Sequence, residues 1–508
     1  MFEGFAVLFG RLWLMLAQKN KYAKIIDQNR ELLDPQVSVL EAGSGDAGIA
    51  RFLNRRVVCL DTSFPDGLNE WVEPKPGSLL EMPFGDQAFD VVVCVDVLHR
   101  LEYMERARAI AELIRVARQK IIISCPCGSV ATMGERSLVG LFKKFSIGIP
   151  PWLAAHAVNG LPEVEDMVEI IINTGYQLSF YGNESINQHY GGILLDQFFE
   201  FSQRVHSLTE SRSPYESPIM PSSWDMFYSF TFVLRKDSIP SVAPAVKRSP
   251  VNRSTNAPFE AKLYAVDHVY RSADHLGLVT PIYVGPGADQ APPGTMTDIT
   301  ERTPRLDNRR WCELTAFHKI WSEGPYSDVV GFCHYRRLFD FRTPAGGHRQ
   351  MNYSKDALIK LTGAFFNEEL FRKLPKNALI CPPPFRCNTS LWEQYHRATC
   401  INDLAHVVGY LTRKHPHLVP FIASSLKEKE IFFANLFVSH WEIFDELCAF
   451  LFDVLQDFEK AYPTLRASQY QNREIGFLAE RLFHIWIRFK QHEGLQLIHY
   501  PIAYISDL

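Results

Sequence analysis

The sequence is poor in three features that would each point to a particular class of protein. It has no run of eighteen or more apolar residues, so no membrane-spanning helix is predicted. Its 10 cysteines are scattered through apolar runs without a C-x-x-C pair, which favours reduced, buried thiols. No charge is in large excess, because 53 lysines and arginines accompany 57 aspartates and glutamates. We therefore expect a cytoplasmic protein with no nucleic-acid partner.

The composition present is that of a globular protein, with 46% hydrophobic and 22% charged residues. A chain of 508 residues is too long for one ordinary core, and two domains are the simplest expectation. The stretch between Leu234 and Phe259 is rich in proline, serine, asparagine and charge, without an apolar period. The predicted division is thus 1–235 for the first domain, 236–258 for a linker and 259–508 for the second domain.

The first thirty residues are predicted to form an N-terminal helix of the first domain, over 1–30. An acid at Glu3 and the lack of a basic n-region argue against a secretory signal peptide. A helix docked on its own domain is the simpler interpretation. The alternative is a helix lying in a membrane interface, with lysines such as Lys19, Lys21 and Lys24 on lipid phosphates. That alternative predicts peripheral contact with the cytoplasmic face of the inner membrane.

The first half alternates short β-branched runs with helical patterns, as in the helical stretch Tyr103 to Arg118. This alternation predicts a mostly parallel sheet with helices on both faces. The predicted strands are Val37 to Glu41, Val57 to Leu60, Asp90 to Cys94 and Lys120 to Ser124.

A glycine-rich turn follows the first of these strands and carries Gly43, Gly45 and Gly48. Glycine lets the backbone approach a ligand closely, and the helix that follows supplies free N–H groups. The second strand ends in Asp61, where a carboxylate can accept hydrogen bonds from ribose hydroxyls. Turn and acid together predict a nucleoside cofactor, and by themselves they fit a dinucleotide equally well.

The motifs EAGSG, the acid-ended second strand and MPFGDQAFD resemble those of class I S-adenosylmethionine-dependent methyltransferases of the type 11 kind, over about Leu32 to Arg235. The resemblance implies a Rossmann-like domain with a mostly parallel seven-stranded sheet and S-adenosylmethionine as cofactor. It implies that Glu41, Gly43 and Gly45 line the methionine end, and that Asp61 holds the ribose. The stretch from Leu80 to Met82 would hold the adenine, and the turn with Asp96 and His99 would face the sulfonium.

His99 is the candidate catalytic base, since an unperturbed imidazole titrates near neutral pH. The alternative is that His99 caps the next helix or packs on the cofactor. The stretch from Ser129 to Pro162 mixes aromatic, basic and apolar residues after the fifth strand. It is predicted either to cover a bulky amphiphilic acceptor or to be a packed surface insertion.

The second half shows another alternating pattern, which predicts a second α/β domain. The predicted strands are Lys262 to Val266, Val329 to Cys333, Ala378 to Ile380 and Ile431 to Val438. The predicted helices are Trp311 to Trp321, Trp441 to Phe458 and Gly476 to Phe489.

The stretches NRRWCELTAFHKIW, VVGFCHYRRLFDF and REIGFLAERLFHIW resemble the bacterial DUF4422 family, grouped with galactofuranosyltransferases of O-antigen and capsule assembly, from about Ala261 onward. The resemblance implies a GT-A-like glycosyltransferase domain with a nucleotide-sugar donor, UDP-galactofuranose being one candidate. The chain departs from the family pattern at Thr303-Pro304-Arg305 and at Asn435-Leu436. These departures leave the identity of the donor sugar open.

The predicted strand Val329 to Cys333 is followed by His334, Arg336 and Arg337. Together these side chains could neutralise the charge of a diphosphate. No D-x-D triplet follows the linker, so arginine neutralisation without metal is favoured, and a metal held by dispersed carboxylates stays open. The predicted catalytic residues of this half are His334, Arg336 and Glu480. Those predicted to bind the nucleotide sugar are Asp267, His268, Asn308, Glu313, Arg337, Asn435, Arg473 and Arg481. Glu480 and Arg481 fit a helix-locking ion pair equally well.

The favoured hypothesis is a bifunctional enzyme of bacterial surface-polysaccharide synthesis that adds a sugar and methylates a glycan or lipid-linked glycan. One alternative is a methyltransferase whose second domain binds glycans without catalysis. Another is an assembly protein whose first domain is a nucleotide-binding scaffold.

Overall fold

The computed structural model describes residues 21–45, 48–144, 148–186, 189, 227–236, 258–270, 279–300, 305–342, 351–353, 368–432, 435–466 and 470–505. The chain divides into two units. The first unit holds Met1–Pro240 together with Tyr395–Val419. The second unit holds Ser241–Gln394 and Pro420–Leu508. The prediction of two α/β units is confirmed.

The first unit is built on a seven-stranded sheet in the order β3-β2-β1-β4-β5-β7-β6. All neighbours are parallel except β7, which runs antiparallel to both β5 and β6. The strands are β1 (Val39–Ala42), β2 (Val57–Asp61), β3 (Val72–Pro76), β4 (Phe89–Val95), β5 (Ala117–Pro126), β6 (Gln177–Gly182) and β7 (Ser229–Arg235). The predicted mostly parallel seven-stranded sheet is thus confirmed.

Helices lie along this sheet and bury its central strands. Every residue of β1 is buried, as are the last five of β4, because a parallel sheet is covered on both faces. The helices are α1 (residues 21–28), α2 (Ala50–Leu53), α3 (Tyr103–Val116), α4 (Ser129–Lys144), α5 (Pro151–Asn159) and α6 (Val164–Ile172), with 3-10 turns at Arg30–Leu33 and Leu98–Arg100.

The second unit contains a mixed nine-stranded sheet. Its main path runs β12-β18-β11-β10-β16-β13-β17, and β8 joins β10 to β9. The strands are β8 (Ala261–Asp267), β9 (Thr280–Tyr283), β10 (Val329–His334), β11 (Arg337–Phe339), β12 (Met351–Tyr353), β13 (Ala378–Cys381), β16 (Phe437–His440), β17 (Gln496–His499) and β18 (Ile502–Ile505). A separate pair is formed by β14 (Phe385–Arg386) and β15 (Glu430–Ile431).

The helices of the second half pack aromatic side chains onto this sheet. Phe317 lies 4.2 Å from Phe332 of β10 between ring centroids, and Phe444 lies 5.3 Å from the same ring. The helices are α7 (Pro286–Gln290), α8 (Asn308–Trp311), α9 (Leu314–Glu323), α10 (Glu368–Arg372), α11 (Leu391–Ala398), α12 (Ile401–Lys414), α13 (Val419–Lys427), α14 (Trp441–Ala461) and α15 (Glu474–His492), with 3-10 turns at Pro416–Leu418 and Gln471–Arg473.

Helix α12 belongs to the first unit although it comes from the second half of the chain. It lies along β6, the last strand of the seven-stranded sheet. The backbone N–H of Gly182 donates to the side chain of Asn402 at 2.8 Å, and Thr412 Oγ1 donates to the carbonyl of Leu178 at 3.4 Å. Helix α12 therefore covers backbone groups of a strand edge that would otherwise be open to another chain.

Several boundaries differ from those predicted. The helix expected from Trp311 to Trp321 is two helices, because Cys312 adopts a left-handed φ of 50° between α8 and α9. The strand expected from Ile431 to Val438 is split between β15 and β16. The predicted second domain, 259–508, is continuous, whereas the observed second unit lacks Tyr395–Val419.

Two further predictions concern residues near the ends of the first domain. Of the N-terminal helix predicted over 1–30, residues 21–28 are helical and residues 1–20 lie outside the described part. Of the linker 236–258, only its first and last residues are described. Within the described ranges, no helix combines the length and the apolar character that crossing a membrane requires.

Candidate functional site

The order of strands in the first unit reverses between β1 and β4, which are neighbours. In such sheets a crevice opens outside the carboxyl ends of the two strands, and ligands bind there. The glycine turn follows β1 at one side of this crevice, and Asp96 and His99 follow β4 at the other. The topology therefore brings together the residues that the sequence singled out separately.

The glycine turn leaves no room for side chains at two of its positions. A Cβ atom on Gly43, which has φ of +81°, would lie 2.1 Å from Cγ2 of Val97. A Cβ atom on Gly48 would lie 1.9 Å from a carboxylate oxygen of Glu41. Only glycine fits both places, so the turn stays tight against the crevice.

Glu41 is fully buried at the centre of the turn. Its Oε2 accepts the backbone N–H of Ile49 at 2.5 Å, and its Oε1 accepts the hydroxyl of Tyr22 at 3.0 Å. Burial raises the pKa of Glu41 to about 7, although both hydrogen bonds oppose this shift. Glu41 thus ties the turn to α1, and its predicted contact with the methionine end stays a prediction.

Asp61 holds the other end of the same turn. Its Oδ2 accepts the N–H of Gly45 at 2.9 Å, and its Oδ1 accepts the N–H of Thr62 at 2.7 Å. Each carboxylate oxygen has a further lone pair, so a ribose hydroxyl has an acceptor available. The role of Asp61 with ribose remains a prediction.

The predicted adenine stretch is fixed by the third helix. Met82 is buried, its N–H donates to Glu112 at 2.9 Å, and its carbonyl accepts from Arg115 at 3.1 Å. Arg115 also bonds to Asp86, while the side chain of Leu80 is partly exposed. The clamp of Glu112 and Arg115 was not predicted from the sequence, where the spacing of three residues on one helix is its only signal.

Lys21 of α1 reaches the turn after β4. Its ammonium lies 2.6 Å from Asp96 and 3.4 Å from Glu184. Burial by itself lowers the pKa of Lys21, but the two carboxylates outweigh burial and raise it above its ordinary value. Burial likewise raises the pKa of Asp96, and Lys21 more than offsets this, so the pKa of Asp96 is low. Charged groups therefore meet directly at the crevice.

His99 lies in the 3-10 turn that follows and is 3% exposed. Its Nδ1 has no hydrogen-bond partner among the described residues. Burial lowers the pKa of His99 to about 3, so the imidazole is neutral at physiological pH. The expectation from the sequence that His99 titrates near neutral pH is not met, because the ring lies away from water.

Three buried side chains near His99 were not singled out from the sequence. His156 of α5 and Tyr228 both bond to the same carboxylate oxygen of Glu135, at 2.8 Å and 2.7 Å. The rings of His156 and His99 meet edge to face, with centroids 4.7 Å apart. The signal available in the sequence was a histidine in the otherwise uncharged stretch of α5.

The second unit gathers predicted residues at the end of β10. Asn435 donates to the buried carboxylate of Glu313 at 2.7 Å. Burial raises the pKa of Glu313, against the opposing effects of Asn435 and nearby Arg473 and Arg337. Burial also lowers the pKa of His334 to about 3, and the two arginines add to the shift. Glu313, His334, Arg337, Asn435 and Arg473 therefore form one electrostatic cluster, which we call the β10 cluster.

Two atoms of the β10 cluster have no partner in the described part of the chain. They are Nε2 of His334 and Oδ1 of Asn435, both of which are buried. Asn435 also adopts a left-handed φ of 48°, which is unusual for a residue other than glycine. Orphaned buried polar atoms cost free energy unless a ligand or water satisfies them. The β10 cluster is therefore a candidate binding site.

Other residues predicted for this site have structural partners instead. Asn308 donates to the carbonyl of Cys312 at 2.7 Å and so holds the break between α8 and α9. Arg481 is buried and bonds to Glu480 at 2.8 Å and to the carbonyl of Phe477 at 3.1 Å. Glu480 and Arg481 lie on the same helix, so their ion pair joins no second helix, whereas Arg481 also donates to Gln394 of α11. The catalytic role of Glu480 and the binding role of Arg481 stay predictions.

The remaining predicted residues lie around the strand ends. Asp267 is buried and accepts the N–H of Val269 at 3.0 Å, and His268 packs against Tyr335 with ring centroids 5.3 Å apart. Arg336 is exposed, with its guanidinium 5.1 Å from the same Tyr335 ring. Among the residues described, no three His, Cys, Asp or Glu side chains lie close enough together to hold a metal ion.

Comparison with known proteins gives a match for each unit. The family model described as a methyltransferase domain matches residues 40–124. The family model described as a domain of unknown function, DUF4422, matches residues 262–492. A glycine/sarcosine/dimethylglycine N-methyltransferase of Actinopolyspora halophila is 32% identical over 103 residues, 17% of this chain. The match spans only 18% of that relative's length.

Solved structures similar to the chain fall into the same two groups. The WbbM bifunctional glycosyltransferase is 22% identical, with 49% of this chain and 45% of that chain covered and a TM-score of 0.43. A magnesium protoporphyrin IX methyltransferase from Synechocystis, with bound S-adenosylhomocysteine, is 15% identical, with 45% and 86% covered and a TM-score of 0.28. The two family models, which match a methyltransferase domain over residues 40–124 and DUF4422 over residues 262–492, confirm both resemblances of the sequence.

Proposed function

We propose that this chain is a bifunctional enzyme that transfers a methyl group from S-adenosylmethionine and a sugar from a nucleotide-sugar donor. The single observation that carries the first activity is the crevice between β1 and β4. Its glycine turn is held at one end by Asp61 and at the other by Glu41. Glycine at positions 43 and 48 keeps the space beside this turn clear of side chains, so the backbone can approach a ligand closely. The methyltransferase family model covers this same stretch.

The sulfonium of S-adenosylmethionine is already a good leaving group, so the domain has to supply mainly position. Asp61 would bind the ribose, and the clamped stretch around Met82 would contact the adenine. Asp96 and His99 stand at the sulfonium end. A neutral His99 suits that place, because a second cation beside the sulfonium would raise the energy of the bound cofactor.

The second activity is supported by the β10 cluster. Arg337 and Arg473 offer positive charge for a departing diphosphate, and the buried Glu313 offers a carboxylate beside them. The unpartnered atoms of His334 and Asn435 are the polar groups that a ligand would satisfy. A nucleotide-sugar donor fits this set, UDP-galactofuranose being one candidate. A glycan-binding module without catalysis is the alternative.

For the substrate we propose a glycan or lipid-linked glycan of bacterial surface-polysaccharide assembly, methylated on a sugar hydroxyl in the cytoplasm. Peripheral contact with the inner membrane is supported by α5, a helix without any charged residue. Its Val158 is 85% exposed. A contiguous apolar patch marks an interaction surface, and α5 exposes further apolar side chains beside Val158: Pro151, Trp152, Ala154, Ala155 and Ala157.

The test of both activities is mass spectrometry of the glycan made by cells that carry variants of the chain. Asp61→Ala should remove a methyl increment and leave the sugar. Arg337→Ala should remove a sugar, whereas Arg372→Ala, an exposed arginine of the same unit, should change nothing. An unchanged glycan in Arg337→Ala cells would favour the non-catalytic module. Failure of the purified chain to bind S-adenosylhomocysteine in calorimetry would refute the methyltransferase proposal.

The membrane contact is tested by flotation with vesicles of phosphatidylglycerol and phosphatidylethanolamine. Val158→Asp should reduce the fraction of protein that floats, because it places a charge on the apolar face of α5. Met104→Asp is the matched control, since Met104 is 81% exposed on α3. Equal flotation of both variants and the unaltered chain would refute the contact through α5.

A further inference from the structure

Beside the crevice lies a buried acid that binds two neighbours through one oxygen. Glu135 Oε1 is 2.8 Å from Nδ1 of His156 and accepts the hydroxyl of Tyr228 at 2.7 Å. The side chains of Glu135 and His156 are only 7% and 8% exposed. Glu135 belongs to α4 and His156 to α5, so the contact joins these two helices, and α5 also contacts the 3-10 turn that carries His99.

This contact fixes which nitrogen of His156 carries the proton. An ionised carboxylate only accepts hydrogen bonds, so Nδ1 of a neutral imidazole must be the protonated nitrogen. Nε2 is then left with its lone pair free. Within the described ranges, Nε2 has no hydrogen-bond partner. In that tautomer Nε2 is the nitrogen of His156 that can accept a proton.

His156 also stands next to the turn where methyl transfer is proposed. Its ring meets that of His99, which follows β4 at the crevice, at a centroid distance of 4.7 Å. Trp152 packs on the other side, with a centroid distance of 5.3 Å. An acceptor group entering beside His99 would thus be within reach of His156, with an aromatic surface next to it.

His99 itself is a poor candidate for removing a proton. Its pKa is lowered to about 3 by burial, and the described residues offer no carboxylate hydrogen bond to it. A base whose conjugate acid is so strong takes up protons weakly at neutral pH. His156 has the carboxylate that His99 lacks.

We propose that Glu135 and His156 form the general-base dyad of the methyl transfer, and that the methyl acceptor is consequently a hydroxyl group. The inference rests on the proposed methyltransferase function. A hydroxyl is a weak nucleophile unless its proton is removed as it attacks, whereas a neutral amine needs no base at that stage. A buried carboxylate–imidazole pair is useful when the acceptor is a hydroxyl.

In the proposed step, a lone pair of the acceptor oxygen forms a bond to the methyl carbon. The bond between that carbon and the sulfonium breaks, and its electron pair stays on sulfur to give neutral S-adenosylhomocysteine. The acceptor proton moves to Nε2 of His156, which becomes an imidazolium beside the Glu135 carboxylate. His156 then releases the proton to solvent. Charge is conserved, because one cation is consumed and one is formed.

The groups facing His156 determine the pH dependence. Glu135 faces it from α4, His99 from the turn after β4, and Tyr228 binds the same carboxylate from just before β7. His189 stacks on Tyr228 at a centroid distance of 3.5 Å and bonds to Glu184. Glu135 is the only acid in direct contact with His156 among the described residues. A change in the pH profile of the rate on neutralising Glu135 would therefore come from this one contact.

The test uses the full-length chain, labelled S-adenosylmethionine, and membranes and extract from cells that lack the gene as source of acceptor. His156→Ala should lower the rate of label transfer about 100-fold or more, and imidazole in the buffer should restore part of it. Glu135→Gln should lower the rate about tenfold or more and alter the pH profile. Ser137→Ala on exposed α4 surface is the matched control and should leave the rate unchanged.

Calorimetry with S-adenosylhomocysteine distinguishes a failure of the dyad from a failure of the methyltransferase function. If the unaltered chain binds it and transfers label, while His156→Ala and Glu135→Gln transfer at rates within threefold, the dyad is wrong and the methyltransferase function stands. Label found on nitrogen also overturns the dyad. If the unaltered chain neither binds the ligand nor transfers label, the proposed function falls and the dyad with it. Variants that bind the ligand normally, lose transfer and respond to imidazole support the dyad.

Discussion

Glu41 is an acid whose ionisation the fold disfavours, and this gives a prediction at the scale of one residue. Its pKa is raised to about 7 in the folded chain, from an ordinary value of 4.5. The folded state therefore holds the proton more tightly than the unfolded chain. The stabilisation from this proton is complete below about pH 4.5 and is lost as pH rises through about 7.

Glu41→Gln should remove this pH dependence, because the amide keeps the shape without ionising. The difference in unfolding free energy between the unaltered chain and the variant should change by about 2–3 kcal/mol across that window. Urea denaturation at a series of pH values measures it, with Glu73→Gln on the exposed part of β3 as control. A difference that stays constant from pH 4.5 to 7 contradicts the prediction.

Lys21 gives a second prediction at this scale. Its ammonium is the cation shared by Asp96 and Glu184, and removing it leaves two carboxylates at one place. Lys21→Met should lower the unfolding free energy by about 3 kcal/mol at neutral pH, and by less in acid, where the carboxylates take up protons. Lys75→Met, which alters an exposed ion pair with Glu73, should cost well under 1 kcal/mol. Equal effects of the two substitutions would exclude this role of Lys21.

At the scale of an element, the turn after β1 can be tested with two glycines of similar backbone conformation. Gly43 has φ of +81° and Gly67 has φ of +78°. Only at Gly43 would a Cβ meet another atom, Cγ2 of Val97 at 2.1 Å. Both substitutions cost about 1–2 kcal/mol of backbone strain, so the clash is the difference between them. Gly43→Ala should weaken binding of S-adenosylhomocysteine at least about tenfold in calorimetry, and Gly67→Ala should leave the binding unchanged.

A double variant separates the clash from other effects at Gly43. Adding Val97→Ala to Gly43→Ala removes the atom that the new Cβ would meet. Binding should recover in part, since only the backbone strain remains. A double variant that binds no better than Gly43→Ala would show that the clash is not the cause.

The turn could be predicted because its determinants are local in the sequence. Gly43, Gly45 and the acid at the end of β2 lie within twenty residues, and the periodicity of β1 and β2 places them. Four strands of the first unit, β1, β2, β4 and β5, were predicted to within a few residues for the same reason. Parallel strands buried on both faces give apolar runs that are easy to recognise.

The break at Cys312 and the dyad could not be predicted in this way. Cys312 adopts a positive φ that nothing in its neighbourhood in sequence requires, since cysteine has no preference for that conformation. Tyr228 and Glu135 are 93 residues apart, and His156 is 21 from Glu135. Such contacts depend on how α4 and α5 pack on the sheet. Hydrophobic periodicity predicts which face of a helix is buried, but not which element packs against that face.

At the scale of the whole molecule, the first unit is made from two stretches of chain. Helix α12 covers β6, and Gly409 lies so close that an added Cβ would be 3.1 Å from the carbonyl of Leu178. A fragment ending at Pro240 lacks this helix and leaves the backbone of an edge strand open. Such a fragment should aggregate and unfold at a lower temperature than the first unit of the full chain.

Light scattering and thermal unfolding of the fragment measure this effect. A synthetic peptide of residues 395–419 should reduce the aggregation, whereas the same peptide with Asn402→Ala and Thr412→Val should act more weakly because it lacks both hydrogen bonds to β6. A fragment that stays monomeric and binds S-adenosylhomocysteine as tightly as the full chain would refute the prediction.

The position of α12 in the chain also sets an order of events during synthesis. Strand β7 ends at Arg235, and the helix that completes the same unit ends at Lys414. A ribosome adding about 5–20 residues per second needs on the order of 10–40 s to cover that distance. During this interval the nascent sheet has its last strand uncovered while the second unit is being made. Chaperone binding to the nascent chain should therefore persist until α12 leaves the ribosome.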